Sequence, residues 1–194
     1  MNALKVIVIL NLLISSNLYS QKIGVSLYAG ANRTSISNYL IKERNPLDAK
    51  SEFGFLFGVK ADYKLTSKLK FVSGLGLSNR TFSEPSFSPG QSRFFERMYF
   101  LEIPMMISLP LSKNFYTTFG LVNSYKFEGD THFFWDNQDE ILYGIDAQVI
   151  GGYKINRRFG LEAGVLYGSL LDHALSRLNF TNFVGSLCLT YKLK

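Results

Sequence analysis

The sequence predicts an all-β fold, an eight-stranded antiparallel up-and-down transmembrane β-barrel, on two observations. Apolar residues alternate with glycine or polar residues through almost the whole chain after residue 20, which is the period-two pattern of β-strands. The connections between these segments alternate between short and long along the chain. Short turns at one end and long loops at the other are typical of barrels that cross a bacterial outer membrane, with the turns in the periplasm.

The first twenty residues are predicted to be a signal peptide rather than part of the fold. Lys5 supplies the positive charge of its first region, an apolar stretch at 6–14 is interrupted only by Asn11, and residues 15–20 are polar. An uncleaved membrane anchor is the alternative, but this apolar stretch is too short to span a bilayer. Cleavage after Ser20 would leave residues 21–194 as one barrel domain, with no later apolar run of about 18 residues.

Each of the eight predicted strands is long enough to cross a bilayer. They cover residues 22–34, 53–65, 69–82, 97–109, 115–127, 141–154, 159–171 and 182–194. A tilted strand needs about 9–11 residues to cross, whereas strands of water-soluble proteins usually have about 5–6. The predicted tight turns are 66–68, 110–114 and 155–158, and the predicted loops are 35–52, 83–96, 128–140 and 172–181. An even number of strands places both termini on the periplasmic side.

The two faces of the strands distinguish a membrane barrel from a soluble lipocalin-like barrel that binds a ligand in its calyx. One face is apolar and carries no charge, and the other is rich in glycine. A surface in water would carry many Lys, Glu and Thr residues, whereas small residues fit the narrow interior of an eight-stranded barrel. Aromatic residues also gather near both strand ends, as expected for girdles at the two membrane interfaces. We therefore expect the apolar face to lie in lipid.

Charged and amide side chains on the glycine-rich face are the candidate functional residues of the interior. They are Lys60, Asp62, Glu102, Lys126, Asp146, Gln148 and Glu162. Charges in a narrow lumen must pair or be hydrated, so we interpret the set as a structural plug of salt bridges and hydrogen bonds. A proton or ion path and a catalytic carboxylate pair are the alternatives. Pro104 also lies on this face, and because proline cannot donate to a strand ladder we expect a bulge or kink there.

Several segments resemble the PorT-like outer-membrane β-barrel family of Bacteroidetes. Residues 99–106, YFLEIPMM, are similar to the family's "yLeIP" strand. Residues 21–25 are similar to its start, residues 57–59 with 68–71 to its second hairpin, and residues 189–194 to its terminal strand. The resemblance extends over essentially all of residues 21–194. It implies an integral outer-membrane barrel and, through the family's founding type, an association with protein secretion. Most members have no known function, and a fold does not by itself transfer a role.

The sequence contains no nucleotide-binding loop, serine-hydrolase elbow, metalloprotease motif or calcium loop. Its one cysteine, Cys188, excludes an intrachain disulfide, and we predict no cofactor and no metal. The net charge of +6 is scattered along the chain, which favours contact with anionic lipid or lipopolysaccharide over nucleic acid.

Two features of the predicted loops bear on function. His132 and His173, with neighbours Asp130, Asp172 and Ser176, are the candidate groups for a lipid-modifying enzyme. Phe133, Phe134 and Trp135 form an aromatic run that is a candidate surface contact. The sequence therefore predicts a non-enzymatic integral outer-membrane barrel with a structural, secretion-associated or surface-interaction role. The alternatives are a lipid-modifying enzyme, a small pore and a soluble ligand-binding barrel, and envelope or secretion proteins are the candidate partners.

Overall fold

Eight antiparallel strands follow one another in chain order and close into a barrel where β8 pairs with β1. The computed structural model describes residues 23–38, 50–84, 94–130, 143–171 and 179–193. The strands are β1 Gly24–Asn38, β2 Lys50–Lys64, β3 Lys70–Glu84, β4 Phe94–Pro110, β5 Phe115–Asp130, β6 Tyr143–Lys154, β7 Phe159–Leu171 and β8 Asn179–Lys192. Within these residues no helix is long and apolar enough to cross a membrane. The predicted number, order and pairing of strands are confirmed, whereas the signal peptide lies outside the described residues.

Six of the eight strands extend further at the loop end than the sequence pattern predicts. β2, β4 and β8 each begin three residues before their predicted starts, at Lys50, Phe94 and Asn179. Backbone pairing continues there beyond the last residue of the apolar alternation, because hydrogen bonds between strands do not depend on which side chains face outward. The barrel wall is therefore taller than the apolar band.

The register of the strands gives the barrel a strong stagger. Following paired residues around the wall from Asp62 on β2 leads through all eight strands and returns to β2 at Glu52, ten residues away. Strand number and stagger together set the tilt and the radius, and eight strands leave an interior just wide enough for side chains to fill. Which residues meet inside the lumen therefore depends on this stagger as well as on the strand pattern.

The three described turns share one hydrogen-bonding pattern. Each begins with an apolar residue followed by Thr66, Ser112 or Asn156, and the side-chain oxygen of that second residue accepts the amide N–H three positions later, at 3.0, 3.1 and 2.8 Å. The carbonyl at that later position in turn accepts the amides of the first two residues. Short polar side chains that bond local backbone groups favour turns over continued strand. The predicted tight connections are thus confirmed.

Inward and outward residues alternate as predicted, with corrections to both faces. On β6, Val149 is 59% exposed and its neighbour Ile150 is 5% exposed. The outer face is not free of charge, because Arg33 and Arg97 are exposed near the loop end, where Arg33 lies over the Phe53 ring. The inner face holds large side chains as well as glycines, including Tyr28, Phe100 and Met106. Small and large residues together are what fill a narrow lumen.

Of the bulge or kink expected at Pro104, the bulge is not present. Pro104 lies opposite Val122, and the register between β3 and β4 is the same on both sides of it. No extra residue is inserted at Pro104. The missing N–H donor therefore interrupts the hydrogen bonding locally, and the register of the strands stays the same. The irregularities occur elsewhere, between Ser51 and Leu56 on β2 and at Tyr99/Phe100 against β5. Both lie toward the loop end.

Candidate functional site: the barrel interior and its turn-side vestibule

The loop-side half of the lumen is organised by one arginine. Arg80 of β3 is fully buried, and its Nη2 donates to Glu102 Oε1 at 2.8 Å, to Ser124 Oγ at 2.9 Å and to Asp146 Oδ2 at 3.2 Å. Ser78 Oγ donates to Glu102 at 2.6 Å and Ser124 Oγ donates to Asp146 at 2.7 Å. We call these five residues the Arg80 network. It joins β3, β4, β5 and β6 through charge-assisted hydrogen bonds.

Phe100 and Gly168 pack directly against members of the Arg80 network. The Phe100 ring lies against the guanidinium, with Arg80 Cζ 4.2 Å from the ring centroid, which is a cation–π contact. Gly168 lies beside Asp146, and a Cβ atom at that position would overlap the Asp146 carboxylate. Arg80 Nε and Nη1 and Asp146 Oδ1 have no hydrogen-bond partner among the described residues. Among the described residues, Arg80 therefore interacts through its Nη2 atom and through the face of its guanidinium group.

The turn-side half of the lumen holds a second group, which we call the Lys60 network. Lys60 Nζ donates to Glu162 Oε2 at 2.5 Å, and the Tyr116 hydroxyl donates to Glu162 Oε1 at 2.8 Å. The Lys60 ammonium also lies 4.5 Å from the centroid of the Tyr28 ring. Both oxygens of the Glu162 carboxylate are thus satisfied. A buried ion pair with these additional bonds is a well-satisfied arrangement.

A small cavity of about 20 Å³ lies between the two networks. Glu102 of the Arg80 network and Lys60 and Glu162 of the Lys60 network all line it, together with Gln148. This volume is near the minimum of about 10–15 Å³ that one water needs. Buried apolar clusters pack around the same level, namely Val72, Met106 and Ile150 in one cluster and Val122, Leu166 and Val184 in another. Between the Arg80 network and the Lys60 network, the interior is therefore filled rather than hollow.

A wider concavity of about 300 Å³ opens at the turn end, below the Lys60 network. We call it the vestibule. All eight strands contribute to its wall, and Lys60, Glu162 and Tyr116 form part of its lining. Asp62 lies at this level and pairs with Lys70 at 2.6 Å. The remaining charged residues of the lining are basic: Lys64, Lys68, Lys154, Arg157, Arg158 and Lys192.

The structure places the seven predicted interior residues in different surroundings. Glu102 and Asp146 meet through Arg80, and Lys60 meets Glu162. Asp62 belongs to the vestibule, and Gln148 lines the small cavity. Lys126 lies on the inward face opposite Phe100 and is half-buried. The set thus divides between two networks, a cavity and a vestibule, rather than forming a single cluster.

Sequence reasoning missed the two residues that connect these groups, Arg80 and Tyr116. Arg80 has the same parity along β3 as Gly74 and Gly76, so the strand pattern does place it inside. Tyr116 lies between Phe115 and Phe119, two apolar residues of the outward face of β5, and has the inward parity. The candidate loop contacts Phe133, Phe134 and Trp135 lie outside the described residues, as do His132 and His173. Those predictions stay predictions.

Comparisons with known proteins agree with this architecture. The crystal structure of the outer membrane protein OprG from Pseudomonas aeruginosa is similar at 14% identity and a TM-score of 0.50, covering 89% of this chain and 97% of that one. Neisserial surface protein A is similar at 15% identity and a TM-score of 0.51, covering 86% and 96%. The outer membrane protein AlkL in lipid bilayers is similar at 12% identity and a TM-score of 0.53, covering 88% and 90%. At such identities the likeness concerns the fold alone, and no curated protein sequence matches the chain.

The family match is the stronger finding. Residues 19–170 match the family model described as outer membrane protein beta-barrel domain, which is most of the chain. The match agrees with the closed eight-stranded wall and with its exposed apolar band, which suits the lipid of a membrane. The chain therefore belongs to the outer membrane protein beta-barrel domain family and is a barrel of the bacterial outer membrane.

Proposed function

We propose that this protein is a non-catalytic, non-conducting barrel that serves as a rigid scaffold in the outer membrane. In this proposal its turns and termini lie in the periplasm and its long connections lie outside, where they contact partners or lipopolysaccharide. The observation that supports the proposal is the filled lumen, in which two charged networks and buried apolar residues occupy successive levels.

The sizes of the interior spaces support a closed barrel. The cavity between the networks has about 20 Å³ and is bounded by side chains of both. A hydrated ion needs a continuous water path, and the Arg80 network together with Phe100 fills the level above this cavity. Opening a path would separate buried ion pairs, and an uncompensated buried charge is strongly unfavourable.

Electrical recording in planar bilayers tests this proposal. Purified refolded protein should give no single-channel steps above the baseline, and heat-modifiable migration on a gel should show that it is folded. A double variant, Arg80→Ser with Phe100→Ala, removes two large, fully buried side chains of the loop-side lumen and should raise the leak current if it remains folded. Regular conductance steps from the unaltered protein would contradict the scaffold proposal and favour the small pore.

The partners of such a scaffold are the second part of the proposal. A secretion-associated role is implied by the resemblance of the yLeIP strand, Tyr99 to Met106, and a surface-contact role by the aromatic run Phe133, Phe134 and Trp135. Both stay predictions. Crosslinking in intact cells followed by capture of the barrel would test it. Envelope or secretion proteins that crosslink to the unaltered chain, and no longer to a Phe133→Ser/Trp135→Ser variant, would support it. Unchanged crosslinks in that variant would exclude the aromatic run as the contact.

A further inference from the structure

We propose that the vestibule is a binding site for a small, soluble, polyvalent anion of the phosphate type. This goes beyond the scaffold role, which requires only that the lumen be filled. Three features of the vestibule carry the proposal: its excess of positive charge, the hydroxyl groups at its inner end, and the barrel wall that surrounds it on all sides.

The charge of the lining is strongly unbalanced. Its eight cations are Lys60, Lys64, Lys68, Lys70, Lys154, Arg157, Arg158 and Lys192, and its two anions are Asp62 and Glu162. Each carboxylate is already paired, Asp62 with Lys70 and Glu162 with Lys60. Among the described residues the other six cations make no salt bridge. Like charges gathered around one concavity raise the local concentration of anions, and low-dielectric walls focus that field.

The inner end of the vestibule offers neutral hydrogen-bonding groups. Its lining there includes the hydroxyls of Ser26, Ser108, Thr118 and Thr190. The Lys60 network separates them from the rest of the lumen. Lys154 leans inward, with its ammonium 5.9 Å from the centroid of the Tyr116 ring. Phosphate oxygens accept hydrogen bonds from hydroxyls as well as from lysine and arginine, so the cations and hydroxyls suit one compact ligand.

The enclosure favours a soluble anion over a lipid headgroup. Residues of all eight strands line the vestibule, so the wall separates it from the bilayer on every side. A headgroup is tied to acyl chains that must stay in the bilayer, whereas a free phosphate compound can enter along the barrel axis from the turn end. The volume of about 300 Å³ is at the lower end of small-molecule sites, which suits a ligand with two or three phosphates.

Calorimetric titration of the purified, refolded barrel with inorganic tripolyphosphate tests the proposal at constant ionic strength. The double variant Lys64→Gln/Lys154→Gln should bind roughly tenfold more weakly, since it removes two lining cations that make no salt bridge among the described residues. Lys113→Gln is the matched control, because Lys113 is exposed in a turn at the same end and does not line the vestibule. Its affinity should stay within about twofold of the unaltered protein.

Three results would overturn the proposal. One is no detectable binding by unaltered protein that shows heat-modifiable migration. Another is equal weakening in the Lys113→Gln control, which would indicate general attraction to a basic end. The third comes from nanodiscs: if phosphatidylglycerol blocks tripolyphosphate binding and phosphatidylcholine does not, a lipid headgroup is the occupant. We expect equal binding in both lipids. Because this assay uses purified protein, it is independent of conductance and of orientation in the cell.

Discussion

Arg80 is the residue on which the loop-side interior depends. One guanidinium nitrogen serves two carboxylates, those of Glu102 and Asp146, and Ser124 bridges between the arginine and Asp146. Arg80 and Asp146 are fully buried and Glu102 is nearly so, so bulk water has little access to a group that loses its partner. Removing the cation would leave two neighbouring buried carboxylates without a counter-charge.

Replacing Arg80 with methionine tests this dependence, because methionine keeps much of the volume and loses the charge. We expect the Arg80→Met variant to lose about 3–5 kcal/mol of unfolding free energy. Urea titration of the barrel in lipid vesicles, followed by tryptophan fluorescence, would measure the change.

A control and a rescue make this measurement specific. Arg97 lies on the next strand, is exposed at the same end of the barrel, and should tolerate methionine within about 0.5 kcal/mol. Adding Glu102→Gln and Asp146→Asn to Arg80→Met should recover part of the stability, since the uncompensated charges are then removed. Equal stability of the Arg80→Met and Arg97→Met variants would show that the network is not a structural plug.

The inward positions of individual residues could be predicted, but their partners could not. Parity along the strands correctly places Lys60, Glu102, Asp146 and Glu162 inside. Whether Glu162 meets Lys60 across the lumen depends on the ten-residue stagger, on strand tilt and on side-chain rotamers. None of these is a local property of the sequence. The inward position of Arg80 could also be predicted from its parity on β3. Its central place in the network could not, because its partners lie on other strands.

At the scale of single elements, strand β6 carries two adjacent glycines with opposite surroundings. Gly152 faces inward, where a Cβ atom would overlap the Tyr116 ring, and Gly151 faces outward, where the nearest atom is Ala163 O at 4.0 Å. Tyr116 thus occupies the volume that a side chain at Gly152 would take. The missing side chain on β6 is what allows the β5 tyrosine to reach Glu162.

Alanine at these two positions should therefore have different effects. Gly152→Ala should lower the unfolding free energy by about 1–3 kcal/mol through overpacking. Gly151→Ala should stay within about 0.5 kcal/mol of the unaltered protein. The same urea titrations would measure both variants. Replacing Tyr116 with leucine in the Gly152→Ala background should restore part of the loss, and additive effects of the two changes would contradict direct contact.

Strands and turns were the most predictable elements, and irregular pairing was the least. The turns at Thr66, Ser112 and Asn156 combine apolar flanks with a short polar acceptor, a local signal that the structure repeats three times. The irregularities on β2 and β5 have no such signal, because an extra residue changes pairing with one neighbour only. Pro104 carried a strong local signal for a bulge, yet the strands around it hold their register.

The whole molecule has two unlike ends. At the turn end, aromatic pairs such as Phe115–Tyr153 and Phe159–Tyr191 have ring centroids 4.8 and 5.1 Å apart. At the loop end, the ring centroids of Tyr99 and Phe127 are 6.4 Å apart. The two sets lie near opposite ends of the strands, where aromatic girdles at the membrane interfaces are expected. The difference in connection length between the ends gives the barrel its proposed direction, with the turns in the periplasm.

Cysteine labelling in cells tests this direction. In a Cys188→Ser background, Lys113→Cys places one thiol in a described turn, and Asn137→Cys places one in the long connection between β5 and β6. A membrane-impermeant maleimide should label the Asn137→Cys variant in intact cells. It should label the Lys113→Cys variant only after the outer membrane is permeabilised. The physical reason is insertion from the periplasm, during which the turns of four or five residues remain behind while the strands carry the longer segments across. Labelling of Lys113→Cys but not Asn137→Cys in intact cells would show the opposite orientation. The vestibule would then be open to anions of the medium instead of those of the periplasm.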